Sequence, residues 1–383
     1  MEQFWHSVLA LEGGPRILVG ILGVVLLLDI LLLCLVYLRA AFKSIAPLAM
    51  TSDMPMVSVI VCLRDGYEEF EANQRDFLEQ RYPNYELVLV DNTGSEEVEM
   101  ALEQLRRQDA HVRVCTVNPE SSFTANRKYA LAIGIKAAQG EWIVLTESGC
   151  RPATHEWLNH LSKHFTPATD VILGYGALEN GAGLAGLHAQ AHARWHALGR
   201  FGFALSGKFF LGQRRNMAFR RELFFARDGY KGYTHIPGGD DDLFTLAVAQ
   251  RGRSVVEVCP DALTVAPGLT SWSEWRRKRL VDASSHSLYP SSVRLWMRME
   301  GRLRYLVWGG ALSLAFAPQA AFYLGLGAIL ARFLLLNLVL LLAKYRLGMH
   351  GGLLFAWGYD VVGPLINWWT GRGVRHKQHK AWR

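Results

Sequence analysis

The chain contains one long apolar run, residues 17–38, whose only charged side chain is Asp29. At about 1.5 Å of rise per residue, a helix of this length crosses the roughly 30 Å hydrocarbon core of a bilayer. A cleaved signal peptide is the alternative, but its apolar region is shorter and follows basic residues, whereas residues 1–11 contain no Lys or Arg. The sequence therefore predicts an N-terminal transmembrane anchor within residues 1–43. For Asp29 we expect either a helix-packing or partner contact, or a snorkelled or protein-shielded carboxylate that serves only structure.

Basic residues follow the apolar segments, and their placement predicts the orientation in the membrane. Arg39 and Lys43 come directly after the first segment, so the positive-inside rule puts the chain beyond it in the cytoplasm. This placement favours membrane orientation over nucleic-acid binding as the cause of the formal charge of +7, so no nucleic-acid partner is expected. The five cysteines are widely scattered and fit a reducing compartment better than a disulfide framework. We expect a multi-pass protein of the cell's inner (cytoplasmic) membrane with its soluble domain in the cytoplasm.

The C-terminal part of the chain contains further hydrophobic stretches. Residues 303–343 are largely apolar and are interrupted at Pro318, Gln319 and Arg332, which predicts a hairpin of two membrane helices. Residues 353–369 contain Asp360 and Pro364. A further crossing there would place the basic tail, residues 370–383, outside, so an interfacial or re-entrant segment is predicted instead.

Between these segments the hydrophobic period changes to that of an α/β domain. Short runs rich in β-branched residues predict strands at 57–63, 86–91, 112–117 and 142–146, and helical patterns occupy 96–108 and 125–138. This alternation predicts a Rossmann-like, mainly parallel sheet that is buried on both faces. In such sheets the ligand crevice lies beyond the carboxyl ends of the strands.

Charged residues occur where that crevice is expected. Asp65 and Asp91 follow the first two strands, although Asp also starts turns. Lys128 lies at the start of a helix, which suits either a phosphate or a solvated helix terminus, and Glu147 ends the fourth strand. The sequence GGDDD at 238–242 places three carboxylates side by side, a costly arrangement that indicates a cation or a proton-transfer task, with a capping cluster as the alternative.

With these motifs the chain resembles the inverting family 2 glycosyltransferases of the GT-A fold, specifically their membrane-anchored, processive-type branch. The resemblance covers nearly the whole chain and rests on VSVIV (57–61), ELVLVD (86–91), RNMAF (215–219) and GGDDDLF (238–244). It implies a GT-A domain over residues 55–285 that transfers a sugar, with inversion, from a nucleotide-diphosphate sugar to a lipid-linked or polysaccharide acceptor at the cytoplasmic membrane face. The implied partners are this donor, the acceptor, membrane lipids and possible membrane partner subunits.

The resemblance also implies roles for single residues. Asp240 would be the general base that deprotonates the acceptor hydroxyl, with Asp241 and Asp242 beside it in the catalytic cluster. Asp65 and Asp91 would contact the nucleoside, and Lys128 the diphosphate. Glu147 would hold a divalent metal, Mg²⁺ or Mn²⁺, on that diphosphate. The implied donor-binding residues are Asp65, Asp91, Lys128, Glu147, Arg215 and Asn216.

The chain departs from the family pattern at three places. The metal-binding carboxylate pair is reduced to Glu147, followed by Ser148 and Gly149, and an acidic residue common after the first strand is Gly66. No clean Q-x-x-R-W motif is present, and WSEWRRKR stands at 272–279. This sequence predicts an interfacial amphipathic segment over residues 270–300, with its aromatic side toward lipid. A phosphate- or acceptor-capping role is the alternative, for which the candidates are Trp275, Arg276, Arg277 and Arg279.

These departures leave a second functional hypothesis open. A catalytically weak or inactive relative would serve as a scaffold subunit of a membrane glycan-synthesis complex. The intact aspartate cluster favours the active enzyme. His188, His192 and His196 share one helix face, where a polar border of the substrate cleft is favoured over a zinc site.

Overall fold

The computed structural model describes residues 6, 10–45, 54–64, 66–117, 127–349, 358–363 and 365–369. Asp65 and the tail at 370–383 lie outside these residues. The chain divides into two compact units. One unit comprises Met1–Phe42 and Tyr289–Arg372, and the other includes Lys43–Leu288.

Helices and strands alternate through the second unit, whereas the first unit is helical. The helices are α1 (Gly13–Ala41), α2 (Tyr67–Leu78), α3 (Glu96–Gln108), α4 (Arg127–Ala137), α5 (Trp157–Ser162), α6 (Gly183–Leu205), α7 (Arg221–Ala226), α8 (Asp242–Val248), α9 (Trp272–Ser284), α10 (Ser291–Ser313) and α11 (Gln319–Leu347). The strands are β1 (Val57–Cys62), β2 (Tyr85–Asp91), β3 (Val112–Thr116), β4 (Trp142–Leu145), β5 (Arg151–Pro152), β6 (Val171–Leu173), β7 (Gly176–Leu178), β8 (Met217–Arg220), β9 (Ser254–Val256) and β10 (Thr264–Ala266).

A seven-stranded sheet forms the centre of the α/β unit, in the order β3-β2-β1-β4-β8-β6-β9. The first four strands are parallel, and β8 is antiparallel to both β4 and β6. All residues of β1, β2 and β4 are buried, as expected for strands covered on both faces. A separate three-stranded sheet has the order β5-β10-β7. The predicted α/β fold with a mainly parallel sheet is confirmed.

Helix α4 packs closely on this sheet at Gly134. A Cβ atom at this position would lie 2.7 Å from Val90 Cγ2 and 2.9 Å from Ile60 Cγ2, which is inside van der Waals contact. We therefore expect Gly134→Val to lower the free energy of unfolding by about 1–3 kcal/mol through overpacking. Thermal unfolding of the detergent-purified full chain measures the change, with Lys136→Ala on the exposed side of α4 as control. An unchanged midpoint for Gly134→Val would contradict this packing.

The other unit is built from α1, α10 and α11. Helices α1 and α11 are each 29 residues long and apolar enough to cross a membrane, by length and composition. A π-helical stretch, Leu33–Leu38, lies within α1. The three helices share an apolar core to which Leu22, Ala311 and Ala321 contribute. The structure thus contains a helix at the predicted N-terminal anchor.

A network of buried ion pairs links the helices of this unit. Arg332 of α11 pairs with Asp29 of α1 and donates two hydrogen bonds to Asp360, from Nε at 3.1 Å and Nη2 at 2.7 Å. Asp360 also accepts a hydrogen bond from Trp308 Nε1 at 3.0 Å, and Arg304 Nε lies 3.3 Å from it. Of the alternatives for Asp29, the structure therefore favours a packing contact between helices.

The C-terminal boundaries differ in detail from the predicted ones. Of the predicted hairpin at 303–343, α11 is apolar enough to cross a membrane, whereas α10 begins at Ser291 and contains Arg294, Arg298, Glu300 and Arg302 in its first half. The segment predicted as interfacial, 270–300, is split between α9 and α10, and the two units meet in sequence after Leu288. Within the segment 353–369, residues 358–363 and 365–369 are described, and both stretches are helical.

Candidate active site

The topology of the sheet brings the ends of parallel strands and the start of an antiparallel strand to the same edge, which is the one beyond the carboxyl ends of the parallel strands. Parallel strands β1 and β4 end at this edge, so Thr146 and Glu147 emerge there. Because β8 is antiparallel to β4, it begins where β4 ends, and Leu145 pairs with Met217. The residues before β8, Arg214 and Arg215, therefore emerge at the same edge as Glu147.

Glu147 is surrounded by guanidinium groups. Its Oε2 accepts a hydrogen bond from Arg215 Nε at 3.0 Å. Its Oε1 lies 3.2 Å from Arg214 Nε and 3.7 Å from Arg127 Nη1. Burial alone would raise the pKa of this carboxyl, but Arg215, Arg214, Arg127 and Lys278 hold the pKa well below its usual range. Glu147 is therefore anionic, and cations already contact both of its oxygens.

The aspartates at 240–242 lie in the same place. Asp240 is fully buried, with Arg214 Nη1 3.4 Å from Oδ1 and Arg127 Nε 3.4 Å from Oδ2. Asp241 Oδ2 accepts a hydrogen bond from the Arg214 backbone N–H at 3.0 Å, and burial raises the pKa of Asp241. Asp242 accepts hydrogen bonds from the Leu243 backbone N–H at 2.6 Å and from Ser285 Oγ at 2.5 Å.

Arg214 is the central cation of this site. Its guanidinium lies within 4 Å of four carboxylates: Glu147 at 3.2 Å, Asp240 at 3.4 Å, Asp241 at 3.8 Å and Asp282 at 3.3 Å. Burial would lower its pKa, but Asp240, Asp241, Glu147 and Asp282 raise it well above the usual value. We call these five residues, together with Arg127 and Arg215, the charged cluster.

Two lysines lie beside the charged cluster. Lys128 is buried at the start of α4 and donates a hydrogen bond to the Ile236 carbonyl at 2.5 Å. Burial lowers its pKa, against the influence of Asp240, Asp241 and Asp242. Burial likewise lowers the pKa of Lys278 on α9, which interacts electrostatically with Glu147 and Arg215. Both lysines are therefore basic groups close to the cluster, and burial disfavours their charged form while the nearby carboxylates favour it.

Two of the predicted donor-binding residues have other tasks in the structure. Asn216 is completely buried, donates hydrogen bonds to the carbonyls of Tyr175 and Ala262, and accepts one from Trp157 Nε1. Its amide holds neighbouring segments together, and its direct contact with the donor stays a prediction. Asp91 Oδ1 accepts hydrogen bonds from both the backbone N–H and the hydroxyl of Thr93, as in a turn.

Helix α9 also differs from its predicted arrangement. Trp275 is buried instead of facing lipid, and its ring lies 5.1 Å from that of His188 and 4.7 Å from that of His192. The predicted orientation of this aromatic side toward lipid is therefore wrong for Trp275. Arg279 lies over the same ring, 5.7 Å from its centre, whereas Arg276 and Arg277 are exposed. The predicted histidine face thus packs on α9.

The charged cluster does not fit the metal site that the family resemblance implies. Only one carboxylate, Glu147, follows β4, and arginines contact both of its oxygens. Across the described residues, one trio of possible metal ligands has donor atoms within 4.8 Å of one another: His160, Cys259 and Asp261. This trio includes no member of the charged cluster. A divalent ion bound to Glu147 would have to displace guanidinium groups.

The sequence patterns missed Arg127, Arg214 and Asp282, and included Lys278 only as part of the sequence WSEWRRKR. Arg214 directly precedes the RNMAF motif, but a loop residue gives no periodic signal of its own. Arg214 reaches the site through the antiparallel pairing of β8 with β4, which the local sequence does not specify. Lys278 and Asp282 are four residues apart on α9, so they lie on one helix face.

Comparison with a solved mannosyltransferase structure agrees with the fold. A mannosyltransferase from Pyrobaculum calidifontis, solved with GDP-mannose and Mn²⁺, aligns with a TM-score of 0.57 at 19% identity, covering 90% of this chain and 99% of that one. TarS residues 1–349 from S. aureus give a TM-score of 0.43 at 16% identity, covering 83% of this chain and 92% of that one. A search of curated protein sequences found no match.

The family assignment comes from the sequence itself. The model of the family described as Glycosyl transferase family 21 matches residues 24–281, which is more than half of the chain. The expected family 2 and its processive branch are not confirmed, whereas the expected GT-A-like fold and glycosyltransferase class are. The matched range includes every member of the charged cluster except Asp282, and the chain belongs to glycosyltransferase family 21.

Proposed function

We propose that this protein transfers a sugar, with inversion, from a nucleotide-diphosphate sugar to a lipid-linked or glycan acceptor at the cytoplasmic membrane face. The observation that carries the proposal is the charged cluster at the carboxyl ends of β1 and β4, where the ligand crevice of such a sheet is expected. Arg127, Arg214 and Arg215 lie there beside a buried aspartate. Cations at this edge suit a diphosphate, and an aspartate suits the removal of a proton.

The reaction needs one bond to form and one to break at the anomeric carbon. The acceptor oxygen attacks this carbon from the face opposite the diphosphate, the bond to the diphosphate oxygen breaks, and its electron pair leaves with the nucleotide. The acceptor proton passes to Asp240. Cations stabilise the negative charge that develops on the leaving oxygen.

Asp240 keeps one carboxylate oxygen available for this proton. Its Oδ2 accepts no hydrogen bond from the described residues, and Arg127 Nε, 3.4 Å away, donates none. A shift of the Arg127 side chain, which is 29% exposed, would admit an acceptor hydroxyl between these two atoms. This hydroxyl would then donate to Asp240 Oδ2 and accept from Arg127.

The apolar helices support a site of action at a membrane. Helices α1 and α11 are long and apolar enough to cross it, and Arg39 and Lys43 follow the predicted span in the sequence. By the positive-inside rule the α/β unit is cytoplasmic, where nucleotide sugars are soluble substrates and a lipid-linked acceptor is within reach.

A scaffold subunit without transfer activity is the second candidate. It is favoured by the full burial of Asp240 and by the pairing of each carboxylate in the charged cluster with an arginine. A protein with this function would need no nucleotide, and the same binding experiment tests both candidates.

The experiment is a donor panel on the purified full chain in detergent. We expect UDP or GDP to bind, as measured by calorimetry, and the matching nucleotide sugar to be consumed when lipid extract supplies an acceptor. The parent nucleoside is the matched control ligand, because it lacks the diphosphate that the cations would bind. Absence of binding by every nucleotide diphosphate at millimolar concentration would reject the transferase and favour the scaffold.

A further inference from the structure

A divalent metal usually has two tasks at a sugar-transfer site. It neutralises the clustered carboxylates, and it offsets the charge of the diphosphate. In this chain the first task is already performed by side chains. Arg214 alone lies within 4 Å of Glu147, Asp240, Asp241 and Asp282.

We propose that Arg214 takes the place of the metal ion, and that this protein binds its nucleotide diphosphate and transfers sugar without a divalent cation. This inference rests on the proposed function. Arg214 bridges Glu147, two residues after β4, to Asp240 and Asp241 before α8.

The ion pairs agree with this assignment. The guanidinium groups of Arg127, Arg214 and Arg215 lie 3.0–3.8 Å from carboxylate oxygens of Glu147, Asp240, Asp241 and Asp282. Side-chain cations thus offset the charge of these carboxylates where a metal would otherwise do so. An added divalent ion would meet the repulsion of nearby guanidinium groups and would have to displace them from Glu147.

The arginines also retain hydrogen-bond donors for a ligand. A guanidinium has five N–H groups in a planar fork that matches phosphate oxygens. Arg215 uses its Nε for Glu147, and the Arg127 side chain is partly exposed. Both can therefore contact the diphosphate while Arg214 holds the acidic residues together.

The first test needs no variant. Nucleotide affinity and sugar transfer of the wild-type protein are measured in excess EDTA and again in millimolar Mn²⁺ or Mg²⁺. We expect both to change by less than about threefold, which corresponds to well under 1.4 kcal/mol. Binding or transfer that appears only with metal would overturn the inference while leaving the proposed function intact. Absence of nucleotide binding in all conditions would instead reject the proposed function.

The second test measures whether nucleotide binding becomes dependent on a metal ion when Arg214 is removed. In Arg214→Ala four carboxylates lose their shared cation, so we expect nucleotide affinity in EDTA to fall about tenfold or more and Mn²⁺ to restore part of it. Arg214→Lys keeps the positive charge but loses the planar fork of the guanidinium. Its nucleotide affinity should be lower than that of the wild type but should remain independent of metal. Arg75→Ala, at an exposed position of α2, makes the same change of net charge and should behave as wild type. An Arg214→Ala protein that folds and binds nucleotide as wild type does, with no response to Mn²⁺, would refute the role of Arg214.

Discussion

Asp240→Asn is expected to lower the rate of sugar transfer by about 10²–10⁴-fold, the usual contribution of a general base. Asparagine has almost the same shape but cannot accept the acceptor proton. Nucleotide affinity should be retained or increased, because the substitution removes a negative charge beside Arg127 and Arg214. Single-turnover transfer and calorimetric nucleotide binding measure these two effects separately.

Asp282→Asn provides the matched control for this substitution. Asp282 also pairs with Arg214, at 3.3 Å, but its side chain is 47% exposed and lies on α9 instead of at the buried centre. We expect it to lose much less transfer activity than Asp240→Asn. Equal losses in the two variants would indicate that Asp240 acts by orienting Arg214, and a wild-type rate in Asp240→Asn would remove it as the base.

The parallel part of the sheet was predictable because its strands carry a strong local signal. Buried parallel strands need continuous apolar runs, so the runs at 57–63 and 86–91 predicted β1 and β2 closely. Strands β5, β6, β7, β9 and β10 contain two or three residues each and leave no periodic pattern to detect. Their positions depend on tertiary pairing, which a local pattern does not contain.

The site was predictable only in part, for a related reason. Asp240 and Glu147 follow from motifs, whereas their partners come from distant segments. Arg214 meets Glu147 because β8 runs antiparallel to β4, and nothing in the sequence around Arg214 specifies that pairing direction. Asn216 shows a different limit, since its motif suggested a ligand contact and did not reveal the three hydrogen bonds that its amide makes inside the protein.

Arg332→Leu is expected to destabilise the helical unit by about 3–5 kcal/mol, because it leaves buried carboxylates without their cation. Asp29 would lose its partner, and Asp360 would lose two hydrogen bonds from the guanidinium. We expect a lower yield of monodisperse protein in detergent and a lower unfolding temperature, as measured by size-exclusion chromatography and a thermal melt.

Two further variants define the cause of this loss. Arg302→Leu removes an exposed arginine from α10 and should leave the unfolding temperature nearly unchanged. The double variant Asp29→Leu with Arg332→Leu should be more stable than Arg332→Leu alone, since Asp360 then keeps Arg304 and no carboxylate remains at position 29. A double variant less stable than the single one would show that an uncompensated Asp29 charge is not the source of the destabilisation.

The pairing of Asp29 with Arg332 also imposes an order of events during synthesis. The two residues are separated by 303 positions. At about 5–20 residues per second, translation reaches Arg332 some tens of seconds after Asp29 has left the ribosome. Asp29 in α1 therefore cannot pair with Arg332 until the whole α/β unit has been translated. The nascent chain carries an unneutralised carboxylate in an apolar helix for that time, which makes the completion of this unit a late step in biogenesis.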